Sequence, residues 1–371
     1  MKCKYLAIAV AMLSASSAHA QSGVTLYGVA DAGIEYLNHA VSSTGTVAPG
    51  ASGHGLVALQ SGNQSGSRWG LRGVEDLGGG LKSLFLLESG FSIDNGTSTQ
   101  SGRLFGRGAY VGLENKWGRL TLGRHTTPLY DFAVAYDPMA ISSRYSIASQ
   151  DPFMGSARAD NSVKYMGTFG GLGVTGLYSF NNNNQEVPGN FTNGREYSLA
   201  ANYAGGAFSI GAAYDQANQS AATALQTNRL IQRVGVGGTY AYGSAKIHAG
   251  YRYAHAFNGA SLPGSAVVNT ASNLAWMGVG YQVTSALSLT GSAYYQNLRN
   301  SGAGNPWQFV MLADYVLSKR TDLYAVASYV LNKGKSSLGV NGFNSQLGAT
   351  NEAVQPGANQ LGAVLGGRHK F

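Results

Sequence analysis

The amino-acid sequence predicts an all-β fold, a 16-stranded antiparallel transmembrane β-barrel with its third external loop folded inward. Three observations point there. Charged residues make up only 11% of the 371 positions, while Gly (53) and Tyr (22) are abundant and Pro (8) is scarce; an ordinary soluble domain carries roughly 25% charge. Apolar and polar side chains alternate with period two through segments of about ten residues, which suits strands with one face toward lipid and one toward water. The connections alternate between tight turns and long polar loops, the arrangement of a barrel whose every strand crosses a membrane.

The chain opens on an export signal. Lys2 and Lys4 precede an apolar run from Tyr5 to Leu13, and Ala18-His19-Ala20 supplies the small residues of a cleavage site. That run is far shorter than the roughly 20 residues of a spanning helix, and no later stretch reaches ~18. Residues 1–20 are therefore expected to be removed before Gln21, leaving 21–371 as the barrel. Cys3, the only cysteine, leaves with the signal, so nothing in the exported chain can form a disulfide. Without Lys2 and Lys4, 23 basic residues remain against 17 acidic, a net +6. The excess is dispersed and forms no block of like charge, so nucleic acid is not an expected partner.

Each strand is justified by its alternation. In "VTLYGVADAGIEY" Val24, Leu26, Gly28, Ala30, Ala32, Ile34 and Tyr36 oppose Thr25, Tyr27, Asp31 and Glu35. "REYSLAANY", "AKIHAGYRY", "LSLTGSAYYQ" and "WQFVMLADYVL" repeat the pattern. The sixteen strands fall near 24–37, 67–75, 81–92, 103–114, 118–126, 160–168, 172–180 and 195–204, then 207–215, 229–241, 244–256, 273–283, 285–297, 306–317, 321–331 and 360–371. Short turns lie at 76–80, 114–118, 204–207, 242–244, 283–285 and 318–322. Long loops lie near 38–66, 93–102, 181–193, 216–228, 258–272, 298–305 and 332–358. The Asn181 to Asn184 run and the 332–358 loop read as exposed. The 103–126 hairpin is irregular, because Leu122 and Arg124 share a parity, and so do Arg107 and Val111; a bulge or a locally buried outer wall would explain it.

Residues 127–159 are too long for a tight connection and carry Tyr130, Phe132, Tyr136, Met139, Ile141, Tyr145 and Phe153. Those aromatics argue against disorder and for a loop packed inward on the wall. The C-terminal "GGRHKF" continues the alternation, with His369 and Phe371 on one parity and Arg368 and Lys370 on the other. It reads as the closing strand, with Phe371 facing outward at a membrane interface. Gly171 to Gly176 has the spacing of a dinucleotide-binding turn, but it falls inside an alternating strand and lacks the helix that motif needs. The six remaining histidines show no His-x-x-x-His pair, so no metal, no cofactor and no catalytic residue is indicated.

The stretches "VTLYGVADAGIEY", "SRWGLRGVEDLGGGLKSLFLLESGF", "GRLFGRGAYVGLENKWGRLTLGRH", "KRTDLYAVASYV" and "RHKF" resemble the general diffusion porins of Gram-negative bacteria, of the β-proteobacterial type. The resemblance spans the chain from residue 21 to its end. It implies a homotrimer in the outer membrane that passes small hydrophilic solutes and ions. It also implies a third external loop forming an eyelet, with a basic wall facing acidic loop residues. Arg68, Arg72, Lys82, Arg107 and Arg124, with Arg103 beside them, match the wall; Asp131, Asp137 and Asp151 lie in the matching loop. Where some members carry Pro-Glu-Phe-Gly, this chain has "YDFAVAYDPMA". Balancing the early arginines against the three aspartates gives an expected mild anion preference. A barrel hydrolase and a loop-borne adhesin are the rival classes, separated from a channel by ester turnover and by bilayer conductance.

Overall fold

A computed structural model describes residues 23–44, 47, 51–220, 229–347 and 349–371. The expected signal at 1–20 and most of the loop expected at 216–228 lie outside the described residues. The strands are β1 (Gly23–Thr44), β2 (His54–Ser61), β3 (Arg68–Gly78), β4 (Leu81–Gly90), β5 (Gly108–Asn115), β6 (Gly118–Thr126) and β7 (Arg158–Phe169). There follow β8 (Leu172–Ser179), β9 (Glu196–Gly205), β10 (Phe208–Asn218), β11 (Leu230–Tyr242), β12 (Ala245–Phe257) and β13 (Ala271–Gln282). The last are β14 (Leu287–Arg299), β15 (Trp307–Val316), β16 (Thr321–Leu331), β17 (Leu338–Gly339), β18 (Gly342–Phe343), β19 (Ala349–Ala353) and β20 (Gln360–Lys370).

Sixteen of them close a barrel. Strands β3 to β16 pair with their sequence neighbours, β16 pairs with β20, β20 with β1, and β1 with β3, all antiparallel. No edge of the wall is left unpaired, as a backbone in lipid requires. Period-two alternation sorts the side chains as expected. Val24, Leu26, Ile34, Leu199, Ile210, Met277, Met311 and Leu365 are exposed on one face, while Asp31, Glu35, Asp215, Arg233 and Arg252 are buried on the other. The "DLGGG" turn is tight because Gly78, Gly79 and Gly80 all sit at φ between 61° and 85°, a backbone conformation that strains any residue with a Cβ.

The closing strand ends as its parity predicts. Phe371 exchanges two backbone hydrogen bonds with Gly28, at 3.0 and 3.1 Å. Its ring lies over Gly28, where a side chain would collide with it, and remains half exposed on the apolar face. Deleting Phe371 removes that ring and the last rung between β20 and β1. A chain ending at Lys370 is expected to give markedly less heat-modifiable barrel in outer-membrane fractions, read on unheated gels. Full-length yield from the truncated chain would contradict this.

Two long loops differ from expectation. In the 38–66 region β1 continues to Thr44, and β2 pairs back along it from Ala32↔Ser61 to Ala40↔His54. The strand is carried past Leu37 by an irregularity at His39, at φ 48°, beyond which Ala40 and Val41 are buried. In the 332–358 region, expected to be exposed, Ser336, Leu338, Val340, Phe343 and Val354 are fully buried, and β17, β18 and a helical turn at Asn344–Leu347 give it structure of its own. Asn181 is likewise buried: its amide donates to the Asn193 carbonyl at 2.9 Å while its carbonyl accepts from Asn183 and Gln185. Its side chain makes a local turn, a role for which Asn is suited.

Candidate functional site

The barrel is lined rather than filled by its own wall, and its largest apolar cluster is built by residues 127–157 against the polar face. Helix α1 (Pro128–Tyr136) starts at Thr127, whose hydroxyl accepts from the Tyr130 amide at 3.2 Å. Pro128 occupies the first helical position and Asp131 the first turn, both favourable there. The wall accepts the helix because its polar-face positions opposite are glycine. A side chain at Gly211, Gly235 or Gly237 would collide with Phe132 or Tyr136. Trp276 Nε1 donates to the Tyr136 carbonyl at 3.0 Å.

Beyond α1 the segment is pinned at successive strands. Tyr294 Oη donates to Asp137 Oδ1 at 2.6 Å, and the Ile141 amide to Asp137 Oδ2 at 2.8 Å. Arg144 bridges Glu35 at 2.7 Å and Glu352 at 3.0 Å, and Tyr145 Oη donates to Glu35 Oε1 at 2.6 Å. Two short helices, α2 (Ile147–Gln150) and α3 (Pro152–Ser156), meet at Asp151. Its carboxylate accepts from Phe153 and pairs with Arg233 at 3.0 Å and Arg252 at 3.1 Å, all three buried. Gln150 Nε2 donates to Gln308 Oε1 at 2.9 Å. Lys164, Arg233, Arg252, Tyr294, Gln308 and Glu35 belong to β7, β11, β12, β14, β15 and β1, so the segment follows the far wall and leaves the β3–β5 side open.

Burial shapes the ionisation of these anchors. It pushes the Asp137 carboxyl up to about 6, with hydrogen bonds from Tyr294 and Ile141 resisting. Burial would also raise Asp151, but the Arg233 and Arg252 charges outweigh it and hold the group below its ordinary value. Asp137 therefore favours the docked state most in its protonated form. The sign follows: its contribution is full below the ordinary value of 3.8 and is lost as pH rises through about 6. Amide exchange across residues 137–142, corrected for intrinsic rate, is expected to be slower below about pH 5 than above about pH 7. Asp137→Asn should flatten that difference, and an unchanged difference in the variant would contradict it.

On the open side lies a cavity of about 550 Å³ between the wall and the segment. Arg68, Arg107 and Arg158 line it, and among the described lining residues none is Asp or Glu. Arg107 Nε pairs with Glu88 at 2.8 Å, and Arg68 lies 3.7 Å from the same carboxylate. Arg68 also donates to Ser65 Oγ and the Gly66 carbonyl. Arg158 donates to the carbonyls of Arg107 and Ser156, both at 2.9 Å, and stands 5.5 Å from the centre of the Tyr130 ring. Two of the three cations thus share one carboxylate, while Arg158 is held by carbonyls. Facing them are Tyr130 and Ser156, and Ala140 and Ile141 held at φ 48° and 49°. A β-branched residue there is strained, and such strain persists where the surroundings enforce it, commonly at functional sites.

The description "Gram-negative porin" belongs to the family whose profile matches residues 7–335. The outer membrane porin protein 32 of Delftia acidovorans is 30% identical and aligns over 98% of this chain and 99% of its own. An outer membrane porin protein of Bordetella pertussis is 32% identical over 90% of this chain and 95% of its own. The chain belongs to the Gram-negative porin family. Among solved structures, the anion-selective porin from Comamonas acidovorans superposes with a TM-score of 0.76 at 26% identity, covering 95% of this chain and all of that one. This porin is accordingly an outer-membrane channel protein.

Within this porin the expected wall and loop residues part company. Arg68 and Arg107 reach the opening. Arg72 lies four residues nearer the short turns, its guanidinium 5.2 Å from the Tyr27 ring centre, and Lys82 stands exposed at that end, opposite Asp76 and Glu114 in register. Arg124 pairs in register with Ala109, on the parity of exposed Val111 and Leu122. A bulge between Gly123 and His125 follows it, and Arg124 joins Arg103 on Asp160 at 2.5 and 2.7 Å. The aspartates do not face the arginines. Asp131 is bound by Lys164 at 2.6 Å, while Asp137 and Asp151 are turned to the far wall. The residue missed by sequence reasoning is Arg158. It is the first residue of β7, two positions before the boundary read at 160, and the alternation that would mark it is broken by buried Ala159 and Asp160 in succession and by Asn161 at φ 46°.

Proposed function

We propose that the arginine-lined opening is the narrowest part of a passive, non-enzymatic channel for small hydrophilic solutes and ions, and that it prefers anions. The observation that carries this is the lining: three guanidiniums and, among the described lining residues, no carboxylate. The aspartates that would offset them are spent on holding the segment, so the preference exceeds the mild one expected from sequence. Positive charge at a narrow point lowers the cost for an anion to shed bulk water there and raises it for a cation. The porin from Comamonas acidovorans is described as anion-selective, which agrees in sign. On this reading residues 127–157 are folded inward as the constriction loop.

The apolar face of β1, β3, β5 and β6, where Val24, Leu26, Val111, Leu120 and Leu122 are exposed, supports assembly as a homotrimer through these strands, with the Tyr-rich later strands toward outer-membrane lipid. The test of function is swelling of liposomes carrying the purified protein. Small anions such as gluconate should enter faster than cations of the same size, with neutral sugars between. Failure of all three classes to enter would remove the channel reading. Turnover of ester or lipid substrates would favour the hydrolase instead.

A further inference from the structure

We propose that the last external loop is the second wall of the passage, and that Gln346 on it is a selectivity-determining residue. This rests on the reading of the 550 Å³ cavity as the passage. The sequence offers no such role, since 332–358 reads there as exposed. Asn341, Gln346 and Leu347 nevertheless line the same cavity as Arg68, Arg107 and Arg158.

The loop is built to stay there. Leu338, Val340 and Phe343 are fully buried and belong to the same apolar cluster as Leu129, Ile147 and Met154 of the 127–157 segment. The Val340 carbonyl accepts from Ser149 Oγ and from Gln308 Nε2, each at 2.9 Å, and its amide donates to Gln360 Oε1 at 2.9 Å. One loop is thus tied through a single residue to the other loop and to strands β15 and β20. Asn341 Nδ2 donates to Glu35 Oε1 and to Glu352 Oε2, each at 3.0 Å. Those are the two carboxylates that Arg144 bridges, so both loops meet in one network of buried or half-buried polar groups. Asn341 Oδ1 has no partner among the described residues, so the tie runs through its Nδ2, and hydrogen bonds linked through shared carboxylates reinforce one another. The consequence is positional: beside Asn341, the exposed side chain of Gln346 stands on the passage with no charge of its own. It leaves the positive field of the three arginines unopposed from the outer side.

A unit charge at such a position acts within a Debye length of the path. Gln346→Glu is therefore expected to lower the anion-to-cation permeability ratio by about twofold or more at low salt. Gln346 is exposed, so the change should not disturb folding. A second variant tests location without relying on charge selectivity. Because the only native cysteine is Cys3, Gln346→Cys provides a unique thiol once the expected signal is removed. Adding a bulky methanethiosulfonate to the external side should then step the single-channel current down. The same reagent on Phe191→Cys, at an 85% exposed loop position, should leave it unchanged. Arg107→Ser is measured alongside. If Arg107→Ser shifts the zero-current potential while neither Gln346 variant has an effect, the second-wall proposal is overturned and the passage reading stands. If none of the three responds, the cavity is not the passage and both fall.

Discussion

Asp151→Asn is expected to free the 127–157 segment from the wall while leaving the barrel assembled. Asp151 compensates two guanidiniums that are themselves 3% and 1% exposed at the side chain. Removing one partner from such a set leaves buried charge uncompensated, at a cost of about 3–5 kcal/mol. Asp215, opposite Arg233 in register, remains nearby, so the lower part of that range is expected. The barrel ladder does not pass through Asp151, and unheated gels should still show the folded form. Limited trypsin digestion should cut at Arg144 or Arg158 in the variant but not in the parent. Single-channel current should become larger and noisier. The matched comparison is Asp131→Asn, whose carboxylate is one-third exposed and, among the cations of the described residues, pairs with Lys164. Lys164 is buried but keeps the Thr126 carbonyl and hydroxyl as acceptors, so the loss should be smaller than at Asp151 and the digestion pattern nearer that of the parent. Equal resistance of the Asp151 and Asp131 variants would show that the buried triad does not hold the segment.

The second large effect is expected from the opening itself. The double variant Arg107→Ser, Arg158→Ser removes two of the three cations on the cavity and leaves Glu88 with Arg68 alone. At separations of a few ångströms and an intermediate dielectric, each charge is worth a few kcal/mol to a passing ion before screening. The anion preference should therefore vanish or reverse at low salt. It should recover little at high salt, where the Debye length falls from ~10 Å at 0.1 M to ~3 Å at 1 M and parent and variant converge. Arg124→Ser is the comparison, since Arg124 lies on the parity of the exposed Leu122 and pairs with Asp160. Its zero-current potential should match the parent. A shift there equal to that of the double variant would place the selecting charge elsewhere.

The barrel was legible because its rule is local. Alternation is a two-residue property, and it identified all sixteen wall strands and the outward parity of Phe371. The exceptions arise where a local rule meets a distant partner. Arg124 keeps its strand parity and is taken up by Asp160, while Arg107 stands just before β5 begins and turns to Glu88. Both are arginines in the same irregular hairpin, and only the bulge and the strand start separate their fates. The aspartates failed differently. Their residue type suggested charge facing charge across the opening, but a carboxylate in an apolar segment is more stable against buried arginines, a tyrosine or a lysine on the wall behind it. Composition likewise hid the last external loop, whose Gly- and Ser-rich sequence reads as solvated although Leu338, Val340, Phe343 and Val354 within it are buried.

The most direct test of the account is the zero-current potential of the unmodified protein in a planar bilayer across a KCl gradient at low ionic strength. The arginine-lined opening predicts a potential whose sign reports chloride crossing faster than potassium, shrinking as both sides are raised toward 1 M. A potential of the opposite sign, or none at low salt through an open channel, would contradict it.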